Sequence, residues 1–268
     1  MKETDERRIH VTILGTGTST GIPVIGCSCR VCQSSDPRDK RLRCSCFVEA
    51  DGVDLLIDVG PDFRMQAMRA GISNIDAVLI SHHHFDHVVG LDDLRPFLFR
   101  EQSKMACYTN EESGRILRNM FGYIFGGGNY PGAPNLTIVA VEGTFSVKSR
   151  RDPSRSVAVI PVPALHGDLE VLGFRIGRFA YITDTSGLPA SSLELLGGLD
   201  VLVLDALRHE RHAKHLTIEQ AVELAQGIGA NETFFIHMTH SLLHVEENEA
   251  LPDSMALAYD GQKFSVGF

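Results

Sequence analysis

Four of the twelve histidines in this chain fall within six positions, at His82, His83, His84 and His87, directly after the apolar run at 76–80, DAVLI. Even scatter would place about 0.3 histidines in such a window. A continuous apolar run predicts a strand buried on both faces, so Ser81-His82-His83-His84-Phe85-Asp86-His87 emerges where a core strand ends. Imidazoles at 82 and 84 can converge on one ion from a non-helical turn, and Asp86 and His87 can reach a second ion beside it. An isolated histidine is ordinarily a solvated loop group or a satisfied core group, but the H-x-H-x-D-H spacing is far more specific than a lone H-x-H. Adjacent side chains diverge, which sends His83 to an exposed or supporting position. His10 and His244 are expected at the surface.

A chain of 268 residues, 43% hydrophobic and 22% charged, can bury one sizeable core. The net charge of -9 argues against a broad nucleic-acid surface and favours small or locally gripped substrates, although a local basic groove is compatible with it. The opening MKETDERRIH is charged, and no stretch approaches the ~18 apolar residues of a membrane span, so a cytoplasmic location without membrane attachment is expected.

The segments at 10–17 and 47–60 predict strands, the latter two short ones joined around Asp51-Gly52. Pro61 and Gly71 bracket an expected helix over 61–70, and 110–121 is a second helical segment. The Gly- and Pro-rich stretch 125–135 is expected as a loop bordering the site. Strands follow at 157–164, 171–177, 178–184, 199–207 and 233–237, with Thr217 and Gln220 forming a capping box before an apolar-periodic helix. Strands and helices interleave in both halves, which predicts a layered α/β or α+β architecture.

Cys27, Cys29 and Cys32 lie in GCSCRVC, a C-x-C-x-x-C spacing that supplies three thiolates for a tetrahedral zinc and calls for one further ligand, for which His240 is the candidate. A redox thiol cluster is the alternative. Cys107 is expected as a small core residue, and Cys44 and Cys46 at a strand entry. Gly15, Gly17 and Gly21 follow a strand, but the Pro23 and cysteine-rich sequence after them is no helix start, so they predict a tight turn near the site, with amides that could approach a phosphate, rather than a dinucleotide fingerprint. In LRHERHAKHLT (207–217), His209, His212 and His215 sit on a polar loop where one can donate a proton.

The H-x-H-x-D-H run resembles the signature of the metallo-β-lactamase superfamily, and His166 in PVPALHG, Asp184 in YITDTS and His237 in FFIHMTH match its later motifs, each after an apolar strand. The resemblance covers nearly the whole chain. It implies an α+β, four-layer αββα sandwich over 1–268 as a single domain, with the site at the mouth of the two sheets. It further implies that His82, His84 and His166 hold one divalent ion, that Asp86, His87 and His237 hold the other, and that Asp184 bridges them. Zn, Mn or Fe can each occupy such ligands.

GTGTSTGIPVIGCSCRVC together with HMTH is similar to the phosphoribosyl cyclic phosphate phosphodiesterases of the carbon-phosphorus lyase pathway. That likeness implies a structural zinc on Cys27, Cys29, Cys32 and His240 around a cysteine-rich loop at 26–32. It also implies hydrolysis of a cyclic phosphate such as 5-phosphoribosyl 1,2-cyclic phosphate, a homodimer, and His215 as the loop histidine. The expected reaction is attack by a metal-bridging hydroxide, with Asp86 among the metal ligands and His215 protonating the leaving oxygen. A transfer-RNA 3′-end endonuclease shares the motif but needs an RNA-gripping arm, and no Lys/Arg-rich insertion of that kind is present. Thioester or lactam hydrolysis is compatible with the metal motif alone. A noncatalytic zinc-binding protein on this fold is the remaining reading, against which stand all seven expected ligands.

Overall fold

A computed structural model describes residues 8–98, 104–126 and 132–268. Among these, two mixed seven-stranded sheets lie face to face with helices outside each. The first sheet is built from β1 (Arg8–Gly15), β2 (Ser45–Ala50), β3 (Val53–Ile57), β4 (Ala77–Leu79), β5 (Met105–Thr109), β6 (Leu136–Ala140) and β14 (Lys263–Gly267), in the order β14-β1-β2-β3-β4-β5-β6. The second holds β7 (Phe145–Lys148), β8 (Ser156–His166), β9 (Leu169–Ile176), β10 (Phe179–Ile182), β11 (Val201–Asp205), β12 (Glu232–Ile236) and β13 (Met255–Leu257), in the order β13-β12-β11-β10-β9-β8-β7.

Apolar side chains from both sheets fill the space between them, among them Ile13, Val48, Leu55, Phe174, Tyr181 and Val203. The outer face of the first sheet packs α2 (Phe63–Ala70), α3 (Phe85–Val88), a 3-10 segment (Val89–Phe97), α4 (Glu111–Met120) and α5 (Gly122–Phe125). The outer face of the second packs α6 (Ala190–Glu194) and α7 (Ile218–Ile228), with α8 (His244–Ala250) beside β13. These are the four αββα layers. Every residue of β4 and β11 is buried, as strands covered on both faces require.

The expected elements are present with shifted ends. The helix expected over 61–70 begins at Phe63, because Asp62 takes the cap position. Gly71 ends it in the left-handed region (φ 70°), as a C-terminal glycine does. Thr217 accepts from the Gln220 amide while the Gln220 side chain accepts from Thr217, completing the capping box of α7. Cys107 is fully buried in β5, Cys46 lies in β2 and Cys44 stands just before it. The loop expected over 125–135 falls partly outside the described residues. No helix among the described residues is long and apolar enough to cross a membrane.

Candidate metal centre

The chemistry gathers where strands end. β3–β6 run parallel, as do β10–β13, so their C-terminal ends lie at one side of the sandwich. β4 delivers the 82–87 run, β8 ends in His166, β10 leads to Asp184, β11 ends in Asp205 and β12 leads to His237. The register Ile182↔Leu204 and Asp205↔Ile236 holds Asp184, Asp205 and His237 within one residue of a common level.

His82, His84, His166 and Asp184 form one group of converging ligand atoms, and Asp86, His87, Asp184 and His237 form another, with Asp184 in both. All seven sequence-derived residues are thus brought together. The donor geometry fits cations better than mutual hydrogen bonds. His87 Nε2 is 3.3 Å from Asp86 and 3.2 Å from Asp184, and His237 Nε2 is 3.2 Å from Asp184, yet neither buried nitrogen makes a hydrogen bond. Buried polar atoms are seldom left so, and nitrogens aimed at a shared centre are what a bound ion would satisfy.

The backbone is strained at the same place. Asp58 (φ 58°), Asp184 (φ 51°) and His237 (φ 62°) occupy the left-handed region, which costs non-glycine residues of order 1–3 kcal/mol each and concentrates at functional sites. Gly60 supplies the other steric requirement: a Cβ there would lie 2.0 Å from the Asp86 carbonyl oxygen, so only glycine lets the 82–87 run close against the end of β3.

Two carboxylates that sequence reasoning passed over organise the ligands. Buried Asp58 accepts from the Ser81 amide at 2.8 Å and the Ser81 hydroxyl at 2.7 Å, and lies 2.7 Å from His87 Nδ1. Such a carboxylate fixes the tautomer of a ligating imidazole and leaves Nε2 to the ion. Burial opposes protonation of His87, but Asp184, Asp58 and Asp86 together outweigh it and hold the imidazole well above its ordinary range. Fully buried Asp205 hydrogen-bonds His215 Nδ1 at 3.2 Å and also lies 3.3 Å from His237 Nδ1, a nitrogen that makes no hydrogen bond, so it orients the His215 ring and stands beside the His237 ring. The only sequence signal for either was an aspartate closing an apolar run, in LLIDVG and VLVLD.

His215 is buried, stacked on His237 with ring centroids 4.7 Å apart and set edge-on to His166 at 4.6 Å. Burial disfavours its charge, but the hydrogen bond and charge of Asp205, with Asp184 behind it, raise its pKa above the ordinary value. His212 lies outside it, with ring centroids 5.1 Å apart, whereas His209 is clamped between Glu219 (2.7 Å) and Glu247 (3.0 Å) away from the ligands. His83 turns to the Ser113 hydroxyl at 3.1 Å. His10 is exposed, but His244, expected at the surface, is buried against Tyr259, where α8 turns its first residue inward. The glycine turn does lie beside the site, through bonds between Thr16, Thr18 and Met238. Its Gly17, Thr18 and Gly21 amides, expected to be able to meet a phosphate, are spent on the carbonyls of Leu42, Met238 and Thr18.

Cys27, Cys29, Cys32 and His240 meet in a separate cluster. Their sulfurs lie 3.3, 3.4 and 3.7 Å from His240 Nδ1. Tetrahedral zinc with Zn–S of ~2.3 Å and Zn–N of ~2.0 Å sets sulfur–nitrogen separations of about 3.5 Å, and all three distances lie within ~0.2 Å of that, so the set fits that ion. The Cys32 amide at the start of α1 (Arg30–Gln33) lowers the Cys29 thiol to about 6, while burial pushes Cys32 to about 11. Buried Arg41 holds the histidine's loop by donating to the carbonyls of Thr239 (3.1 Å) and Leu242 (2.7 Å).

Residues 54–238 match the family described as "Beta-lactamase superfamily domain". A solved structure described as a new diphosphatase from the PhnP family superposes with a TM-score of 0.87 at 43% identity, covering 97% of this chain and 99% of that one. Human tRNase Z, short form, shares the fold with a TM-score of 0.65 at 18% identity, covering 97% of this chain and 100% of that one. An octanoyltransferase of Porphyromonas gingivalis is 40% identical over 93% of this chain, which spans 50% of that protein's length. Two stacked sheets, seven histidines and aspartates converging at one end of the strands, the matching family model and a full-length PhnP-family relative lead to one assignment: this chain belongs to the metallo-β-lactamase superfamily.

Proposed function

We propose that the chain is a binuclear metal-dependent phosphodiesterase acting on a small cyclic phosphate, 5-phosphoribosyl 1,2-cyclic phosphate or a related compound. The observation that carries this reading is the pair of ligand groups sharing Asp184, with His215 stacked beside them on Asp205. His82, His84 and His166 would hold one ion, Asp86, His87 and His237 the other, and Asp184 both. When bound, the two ions supply a water of lowered pKa and neutralise charge on the phosphate oxygens.

The protein's own groups do the rest. Asp58 keeps His87 turned toward the ions. Asp205 bonds Nδ1 of His215, so its Nε2 is left to give a proton to the departing sugar oxygen. Lys214 O bonds His166 Nδ1 at 2.9 Å, leaving that ring's other nitrogen for the first ion. Cys27, Cys29, Cys32 and His240 would hold a zinc that shapes the chain around the site without joining the reaction.

A purified-enzyme screen over cyclic ribose phosphate, cyclic nucleotide, linear diester, pre-transfer-RNA and thioester substrates tests the assignment. The cyclic phosphate should exceed the RNA by orders of magnitude in kcat/KM. Efficient, specific cleavage of the RNA would replace this reading with the endonuclease, and thioester turnover alone would replace it with acyl chemistry.

The role of His215 has its own test. Protonating a poor alkoxide leaving group is typically worth about 10²–10⁴-fold in rate. His215→Ala should therefore slow cyclic ribose phosphate hydrolysis far more than that of an activated aryl diester. Equal losses on both substrates would assign His215 to phosphate positioning instead.

A further inference from the structure

On the loop between β11 and α7, His212 stands beside His215, but His209 faces away from both and from the metal centre. Its ring is held at both nitrogens by carboxylates of two different helices. Nδ1 lies 2.7 Å from Glu219 in the first turn of α7, and Nε2 lies 3.0 and 3.2 Å from the two oxygens of Glu247 on α8. An ionised carboxylate only accepts, and a neutral imidazole donates from one nitrogen alone. Both contacts are hydrogen bonds together only when the ring is an imidazolium.

The surroundings favour that cation. Glu219 and Glu223 of α7 and Glu247 of α8 line one cleft with the ring, while on its own loop Arg208 is turned to Glu210 at 3.7 Å and Arg211 and Glu210 are exposed. The bond to Glu219 comes first in raising the pKa of His209 above 6.5, with Glu247 adding to it, and burial opposes them without prevailing.

What the ring holds is the segment that carries His215. The Leu207 amide bonds the Leu216 carbonyl at 3.0 Å and the Ile218 amide bonds the Arg208 carbonyl at 3.1 Å, which closes the neck of the loop. His209 is the first residue beyond that neck, and His215 is the last before the chain re-enters it. Among the described residues, 209–213 make no other hydrogen bond to α7 or α8. The same segment leads into Lys214, whose carbonyl bonds His166 Nδ1 at 2.9 Å.

We propose that His209 is a positioning residue for the general acid: as an imidazolium between Glu219 and Glu247 it straps the loop to both helices and so keeps His215 in place. The proposal rests on the phosphodiesterase reading for the reaction served, whereas the strap is a property of the loop itself. Because the folded chain binds this proton more tightly than the unfolded one, the strap is complete below pH 6.5 and slackens as pH rises through the raised value.

The test measures amide hydrogen exchange of residues 210–214 in the metal-loaded protein, expressed as protection factors from pH 6 to pH 9. Wild-type protection should fall about three- to tenfold across that range, the worth of two partly exposed ion pairs. His209→Gln should show the lower value throughout. His209→Lys keeps a cation to about pH 10 and should restore most of the protection without its pH dependence. Wild-type protection in His209→Gln overturns the strap, and so does a His209→Lys variant as loose as the glutamine one, since shape rather than charge would then hold the loop. The link to His215 is read from kcat at pH 6: His209→Gln should slow cyclic ribose phosphate several-fold more than an activated aryl diester, with KM little changed. Equal slowing of the two overturns the action through His215. If the exchange results hold and no phosphodiester is cleaved, the strap stands and the phosphodiesterase reading falls.

Discussion

Asp184 concentrates more of the site's chemistry than any other residue, since its carboxylate belongs to both ligand groups and its backbone is held at φ 51°. Asp184→Asn should empty both catalytic positions together and lower turnover by roughly 10²-fold or more. Elemental analysis decides it, because retention of both ions would end the bridging assignment. A second residue-scale prediction concerns Asp260, which accepts from Thr16 Oγ1 (2.9 Å) and the Leu42 amide (2.8 Å) with its side chain only 4% exposed. Burial raises its pKa from 3.8 to about 6, more than those bonds and Arg69 lower it. The folded state therefore binds this proton more tightly than the unfolded chain. The stability it contributes is full below pH 3.8 and is lost as pH rises through about 6. The rise from 3.8 to about 6 caps the loss at ~3 kcal/mol. Asp260→Asn should melt above wild type at pH 8 and close to it at pH 4, and a pH-independent difference would refute the linkage. The convergence of the seven histidines and aspartates was legible because histidines in H-x-H-x-D-H and after apolar strands are rare in any other role. Asp58 and Asp205 were not, because their partners His87 and His215 lie 29 and 10 residues further along and only folding pairs them.

At the scale of elements, two short segments carry testable loads. Gly60 sits where the turn after β3 meets the 82–87 run, and Gly60→Ala would drive a methyl into the Asp86 carbonyl. Backbone cannot yield there cheaply, so the variant should lose metal affinity and thermal stability together. A fully metallated, normally melting Gly60→Ala protein would show that the run can move. The 26–32 loop is the other case: Cys29→Ser should remove about one zinc per chain and lower Tm while the catalytic pair stays loaded. Unchanged zinc and Tm with lost activity would make the thiol catalytic instead. β8, and the shorter β11 and β12, were visible in the sequence through their apolar residues. β13, β14 and the edge strand β7 were not, since β13 is only three residues long and KFSVG and FSVK hold too few apolar positions for a pattern to register. The burial of His244 escaped for a related reason, because α8 contributes an inward-facing histidine at its first residue, where no period has yet begun.

On the scale of the whole molecule, each sheet shares one apolar cluster with its own helices, but the largest cluster draws on both sheets, so parting the halves would expose the inner face of each. Calorimetry should therefore show a single unfolding transition. Phe174→Ala, at a fully buried inter-sheet position, should lower stability by about 3–5 kcal/mol without splitting that transition. Two resolved transitions would mean that the sheets unfold separately. The sheet order described above also bears on how copies of the chain behave toward one another. Each sheet ends in strands of only three to five residues, β14 and β6 on one and β13 and β7 on the other, and β14 and β7 each carry a lysine, Lys263 and Lys148. A short margin offers few unpaired amides and carbonyls, and a lysine on it must shed water before a neighbouring strand can dock. The fourteen strands among the described residues are thereby stacked with little open border through which one molecule could template the aggregation of the next.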